Sequence, residues 1–569
     1  MNLSRNGSGP LLNRRSFLAQ GSMATAAIAF AQADTTVYTE VKTAYGRLRG
    51  LRQPGLVTFK GIPYAGRVSG ANRFKAAPPL KPWTGVKDAL QLGAPSWQPT
   101  KSYFGINEPS PDENCLVLNI WSPAADGRKR PVMFYNHGGG FYKGSGGALY
   151  QDGGNLARAH DVVVVATNHR LGLLGYLFLG DLGGEEYAAS ANQGLLDIRD
   201  GLQWVHENIE AFGGDPDNVM VFGESGGGLK TSCIYALPSA AKYFHKTSIE
   251  SGPGVRMMTR DAAAETALRT LHELGLNKSE WRKLLDVPVD KLVAAQVALE
   301  QPPSGGFPLA DTLAGNGWRL SGNFSAVVDG SVLPHDPFHP EAPAFSKNKP
   351  LMVGSNRDET MFIWFQSKSD EVFKMTDEKL KARLHQELGA KAETIYAAYR
   401  KARPNASAGD LYTAISTACM FWYPGITIAE RKYAQRGAPV YMYLFVHESN
   451  FIIPGTNRSI GVPHAVEILY KLDNIHASGE KSHGDRERSF SNDVMDAMVG
   501  TDPDRQKVAT NMSEMWTAFA RTGVPKATGQ PAWPAYTTQT RATMQIDAVC
   551  KIVNDPFGQE RSMFENLPG

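Results

Sequence analysis

Cysteine is scarce in this chain: Cys115, Cys233, Cys419 and Cys550 are the only four among 569 residues. Four cysteines allow three pairings and sequence alone selects none, so each is expected as a buried structural thiol. No C-x-x-C and no H-E-x-x-H spacing occurs, which removes the common zinc arrangements. No metal and no cofactor is expected. Long apolar runs are missing as well. Past residue 33 nothing approaches the ~18 consecutive apolar residues that a membrane span needs. Charge of one sign is lacking too. The formal net charge is +3, and Arg5, Arg14 and Arg15 account for it, because residues 1–33 hold no acid. The remainder is neutral, with no global field to draw in nucleic acid or an anionic membrane. A nucleic-acid partner and stable membrane insertion are therefore not expected.

What is present is the composition of a folded globular chain, 42% hydrophobic and 20% charged, which argues against disorder. The first residues form an address. Asn13-Arg14-Arg15-Ser16-Phe17-Leu18 resembles the twin-arginine export pattern, followed by a mildly apolar stretch over 21–30 and by Ala31-Gln32-Ala33, small residues suited to signal peptidase. Residues 1–33 are therefore expected as a signal peptide and residues 34–569 as a single large mature domain, exported to a bacterial periplasm or beyond. Twin-arginine substrates fold before export, so a fold independent of disulfides is consistent with the cysteine count.

Strand-like and helix-like runs alternate along the rest. Residues 131–136 and 162–168 are short and apolar, as buried strands are. Residues 193–209 place Leu195, Leu196, Ile198, Leu202, Val205 and Ile209 at helical spacing, and Phe212-Gly-Gly-Asp-Pro216 ends the run. A strand follows from Val219, then a helix over about 227–236. Later strands are expected at 350–354 and 440–446, and a helix at 504–520. This alternation predicts an α/β fold, a mostly parallel central sheet flanked by helices. Residues 260–299 are polar and helical without strands and read as an inserted cap. Helical insertions are expected around 255–320 and 365–420. The Gly/Pro-rich stretch 301–317 is the candidate for a mobile loop.

The apolar run Val219 to Phe222 ends in Gly223-Glu-Ser-Gly-Gly-Gly228. Glycine clusters mark turns, and most are only turns. The alternative is a strand-to-helix bend too tight for flanking side chains, which would leave Ser225 strained and exposed beside backbone amides. A serine hydroxyl needs a base to take its proton, and the base needs an acid to orient it. The tetrahedral intermediate of acyl transfer needs donors aimed at its oxyanion. Tyr135-Asn-His-Gly-Gly-Gly-Phe141 follows a strand and places three glycines where amides can face a cavity without Cβ obstruction. Alone this loop is as well read as a turn. Paired with G-x-S-x-G downstream, it matches the H-G-G-G arrangement of lipases and esterases.

Further segments extend the match: Gly61-Ile-Pro-Tyr-Ala65, Arg73-Phe74, Trp83, Asp112-Glu-Asn-Cys-Leu-Val-Leu-Asn119, Asn168-His-Arg-Leu-Gly172, Asn192-Gln-Gly-Leu195, Trp516-Thr-Ala-Phe-Ala520 and Trp533-Pro-Ala-Tyr536. With these the chain resembles the type-B carboxylesterases of the α/β-hydrolase fold, a family that includes the cholinesterases, from about Thr36 to Asp547.

The resemblance implies the remaining partners. Gly354-Ser-Asn-Arg-Asp-Glu-Thr360 is similar to the family's G-x-N-x-D-E-G segment and makes Glu359 the acid. Thr360 stands where the family has glycine, which leaves Asp358 as a rival. Gly461-Val-Pro-His-Ala-Val-Glu467 is similar to the family's G-x-x-H-x-x-E context and makes His464 the base, ahead of His385, His447, His476 and His483. The order Ser…Glu…His agrees with the fold. His464 would take the Ser225 proton as the hydroxyl attacks an ester carbonyl. The amides of Gly139, Gly140 and Gly226 would bind the oxyanion, and water would then release the acyl-enzyme. The implied substrate is a small-molecule ester, with no cofactor.

Three further departures from the family pattern stand out. Asn114 replaces an aspartate. Gly226 replaces an alanine, which is expected to loosen the local backbone while keeping the amide. Cys115 has no cysteine upstream, so the family's bridge there cannot form within the chain. Glu250-Ser251-Gly252 resembles the family's second serine, which braces the acid–base pair, and Glu224 is expected to give a supporting hydrogen bond. An amide, carbamate or lactone hydrolase would use the same machinery, and a non-catalytic binding member of the fold is the alternative from another class. A shorter H-G-G-G esterase family, related to hormone-sensitive lipase, lacks the long C-terminal half. Phe141, Phe362, Trp364, Phe421 and Trp422 either line an acyl or alcohol pocket or pack in the core.

Overall fold

In the strand Arg130–Asn136, Val132 and Phe134 face one side of the sheet while Met133 and Tyr135 face the other, and all four are buried. The same split recurs in Val163–Thr167, Gly214–Glu224, Leu351–Asn356 and Val440–Phe445. Strands apolar on both faces must be covered on both, as in parallel sheets with helices on either side. The computed structural model of the chain has this architecture. It describes residues 37–99, 109–300, 306–367, 370–475, 495 and 497–567. The expected signal over 1–33 lies outside them, as do His476, His483 and residues 301–305 of the expected loop.

Thirteen of the described strands form one sheet, and two further pairs stand apart from it. Its centre runs Val163–Thr167, Arg130–Asn136, Gly214–Glu224, Lys246–Glu250, Leu351–Asn356, Val440–Phe445 and Ala542–Ile546, and each neighbouring pair is parallel. Antiparallel strands extend both margins, Arg47–Gln53, Leu56–Pro63 and Val117–Ser122 on one side and Lys551–Asn554 on the other. One face is covered by the helix Gln193–Asn208 through Ile198, Leu202 and Val205. The helix Arg505–Thr522 covers the opposite face with Val508, Met512, Trp516 and Phe519.

The insertion over 260–299 is helical as expected, with Arg260–Glu273 and Val289–Leu299 joined by a 3₁₀ segment, Lys278–Leu285. Asp377–Leu388, Ala392–Ala402 and Ala408–Thr417 fill the second insertion. The stretch expected as one loop contains the helix Leu309–Leu313 and the start of a 3₁₀ turn, Gly317–Ser321. All four cysteines are buried and unpaired.

Candidate active site

Loops leaving the C-terminal ends of parallel strands converge, as open α/β sheets arrange their sites. Gly214–Glu224 delivers Ser225 and Arg130–Asn136 delivers Gly139 and Gly140. Leu351–Asn356 delivers Glu359, and the chain after Val440–Phe445 returns with His464. Ser225, Glu359, His464, Gly139, Gly140 and Gly226 all line one cavity of about 570 Å³.

Ser225 sits at φ 59°, ψ −124°, a backbone conformation that side chains seldom adopt. A tight bend forces it. A Cβ on Gly223 would fall 2.5 Å from the Asn136 carbonyl oxygen, and one on Gly227 2.0 Å from the same atom. Ser225 itself anchors the turn by donating its N–H to the Glu250 carbonyl at 2.9 Å. The helix Gly226–Tyr235 begins at the next residue, so its first amides face the cavity mouth.

Gly226 does something other than loosen the backbone. The Gly140 main chain occupies the place of its missing side chain, with Gly140 N only 2.2 Å from where a Cβ would stand. Gly139 and Gly140 have φ of 87° and 63°. Among the described residues, the N–H groups of Gly139, Gly140 and Gly226 donate to no protein acceptor. Three free amides beside a strained serine form a concave donor cluster for an anion.

His464 Nδ1 lies 2.6 Å from Glu359 Oε2, and Glu359 is fully buried. Asn356 donates its N–H to Glu359 Oε1 at 2.7 Å, and its side-chain amide bonds Glu467 Oε2 at 2.7 Å. Asn356 is the bracing residue that sequence did not single out; its position in the G-x-N segment was the available signal. The expected brace is not made: Ser251 Oγ is buried and meets no hydrogen-bond partner among the described residues. The rival Asp358 is engaged elsewhere, accepting from Arg357 at 2.7 Å and from the Val462 N–H at 3.0 Å. His385 pairs with Glu393 and His447 with Asp547, both away from the cavity.

The second ring nitrogen, Nε2, stands 3.2 Å from Glu224 Oε1. Alignment there falls short of a hydrogen bond, since Oε1 has no partner by directional criteria. No described hydrogen bond joins Nε2 to Ser225 Oγ. Burial raises the Glu224 carboxyl to about 8. For His464 burial works downward, but Glu224, Glu359 and Glu467 outweigh it and raise the ring to about 9. Glu224 and His464 face each other across one contact, so a proton gained or lost by one shifts the titration of the other.

Of the five aromatic residues offered as pocket lining, Phe362 and Phe421 are there. Their ring centres lie 5.9 and 5.1 Å from that of His464. Phe141 packs on Tyr176, Trp364 on Phe307 and Tyr412, and Trp422 on Phe557. Those three belong to the interior.

The sheet order and strand-end constellation define an α/β-hydrolase. Comparison with known proteins makes the class specific: the profile described as "Carboxylesterase family" matches residues 37–564, and the chain belongs to that family. It is 34% identical over 526 residues to the para-nitrobenzyl esterase of Bacillus subtilis (strain 168), covering 92% of this chain and 97% of that protein. It is 29% identical over 520 residues to the phenmedipham hydrolase of Pseudarthrobacter oxydans, covering 89% and 94%. The solved carboxylesterase of Geobacillus stearothermophilus superposes with a TM-score of 0.76 at 34% identity, over 92% of this chain and all of that one. The chain is an ester-hydrolysing enzyme of the serine carboxylesterase type.

Proposed function

We propose that Ser225, His464 and Glu359 are the nucleophile, base and acid of this esterase, with Gly139, Gly140 and Gly226 as oxyanion donors. The observation that carries the assignment is the buried Glu359–His464 pair opening onto the same cavity as the strained Ser225. Nε2 turns from Glu224 toward Ser225 Oγ, which opens on the same cavity, as substrate enters, an adjustment common between free and loaded enzymes. His464 takes the hydroxyl proton while Oγ attacks the ester carbonyl, and Glu359 stabilises the imidazolium. The three amides receive the oxyanion. His464 then protonates the departing alcohol, so the apolar rings of Phe362 and Phe421 beside it contact the alcohol side of the ester. Water repeats the sequence on the acyl-enzyme.

A fluorophosphonate probe tests the assignment by labelling Ser225 and nothing else. A panel of p-nitrophenyl esters, run with Ser225→Ala and His464→Ala controls, sizes the pocket; full activity in either variant refutes the site. For the remaining N-terminal residues, the arginine pair, apolar stretch and Ala31-Gln32-Ala33 support export by the twin-arginine route, leaving 34–569 as one periplasmic or secreted domain. Replacing Arg14 and Arg15 by lysine, followed by fractionation, is the check: unchanged export would remove that reading.

A further inference from the structure

Five residues beyond Ser225, on the helix Gly226–Tyr235, Lys230 is fully buried. Its Nζ donates to the His137 carbonyl at 2.8 Å and lies 3.2 Å from His169 Nε2. The proton positions on the two imidazoles follow from their other contacts. His169 Nδ1 is 3.1 Å from the Arg170 carbonyl, and His137 Nδ1 is 2.8 Å from that of Gly138. A carbonyl only accepts, so each Nδ1 carries its ring's hydrogen. His169 Nε2 is therefore an acceptor, and Lys230 donates to it. The rings stack with centres 4.7 Å apart and planes 6° from parallel, and burial holds both well below the usual imidazole range.

Among the described residues no carboxylate pairs with Lys230. Burial alone drives its amine well below the ordinary lysine range. A neutral amine has two N–H donors, and this one meets two acceptors. An ammonium would bring a third hydrogen with nothing described to receive it.

The His137 carbonyl opens the loop that carries Gly139 and Gly140. The same helix meets that segment at two more places, where Gly227 admits the Asn136 carbonyl and Gly226 admits Gly140. We propose that Lys230 is a positioning residue: bonded to the His137 carbonyl and to His169, it fixes the glycine loop so that its amides meet the oxyanion opposite Ser225. This rests on the proposed triad and adds what holds its donors in place. The oxyanion exists only during reaction, so a displaced loop lowers kcat while KM stays near its value.

Three variants separate charge from hydrogen bonding. Lys230→Gln keeps an uncharged head with two N–H donors, Lys230→Met removes them, and Lys230→Arg imposes a permanent cation. Fluorophosphonate titration counts kcat per reactive Ser225, which removes unfolded molecules from the comparison. Lys230→Met and Lys230→Arg are expected to lose about 10²-fold in kcat with KM within about twofold, while Lys230→Gln stays within about tenfold of wild type. Wild-type kcat in Lys230→Met, an equal loss in Lys230→Gln, or a parallel rise in KM overturns the proposal. If Lys230→Met does not fold, His169→Leu removes one acceptor and is expected to lose about tenfold in kcat, and unchanged turnover there is equally fatal. Failure of the wild-type enzyme to label at all is a separate result, which removes the triad itself.

Discussion

Glu224 Oε1 stands 3.2 Å from His464 Nε2, the ring nitrogen that serves Ser225 in the proposed triad. A buried carboxylate there favours imidazolium, yet only neutral imidazole can accept the Ser225 proton. His464 is raised above the ordinary imidazole value, so activity is lost as pH falls through that raised value rather than near 6.5. Glu224→Gln removes the largest upward influence while keeping the shape. The acid limb of kcat/KM is expected to move to lower pH in that variant, read from profiles between about pH 5 and 10. An unmoved or upward-shifted limb contradicts the contact.

The close approach of Gly226 and Gly140 is equally testable. Adding one methyl at Gly226 places carbon 2.2 Å from Gly140 N, and backbone on the other side cannot rotate away as a flexible side chain would. The loop must move outward. Gly226→Ala is expected to lower kcat by about 10²-fold, with a smaller effect on KM, because the donors shift from the oxyanion while the cavity walls remain. Steady-state kinetics on a single p-nitrophenyl ester distinguishes this from a binding defect.

The sequence was most legible where chemistry imposes spacing. Gly223 and Gly227 marked the bend because nothing larger fits beside Asn136, and the apolar strands showed because both faces are covered. The strand Lys246–Glu250 went unseen, since Lys246, Thr247, Ser248 and Glu250 look like a surface segment. They are buried, with Glu250 satisfied by Lys471 at 2.5 Å and by Trp516 Nε1. Polar residues placed by partners more than 200 positions away leave no local periodicity to read. The roles of Asn356 and Lys230 were hidden in a similar way, by side-chain partners between 61 and 111 positions away. The strand Arg47–Gln53 was missed too, because Arg52, at an inward position of its alternation, is exposed.

A buried pair ties the sheet to its covering helix. Arg170 follows the strand Val163–Thr167, and Asp197 lies on Gln193–Asn208. The Asp197 carboxylate accepts from the Arg170 N–H at 3.0 Å, from Nε at 2.9 Å and from Nη2 at 2.7 Å, with both side chains almost wholly buried. Asp197→Asn leaves the guanidinium charge uncompensated in the interior, which costs about 3–5 kcal/mol. The urea midpoint is expected to fall accordingly, while kcat per labelled Ser225 stays near wild type. A midpoint within error of wild type would show that the pair contributes nothing net.

The proposed acid, Glu359, offers the sharpest substitution. Glu359 Oε1 accepts the Asn356 N–H and Oε2 accepts from His464 Nδ1, so both oxygens are committed to donors. Glu359→Gln keeps size and shape but replaces one acceptor by an NH₂ group. If that group faces Asn356, two donors meet in a buried site. If it faces His464, the ring must expose a bare Nδ1 and carry its hydrogen on Nε2, where it can no longer accept from Ser225. Either orientation injures the enzyme, and the second abolishes the base. On the scale of an acid-to-amide change in another serine hydrolase, kcat is expected to fall on the order of 10⁴-fold near neutral pH. Ester turnover measured after active-site titration decides it, and a loss below about tenfold would mean that Glu359 does not set the tautomer of His464.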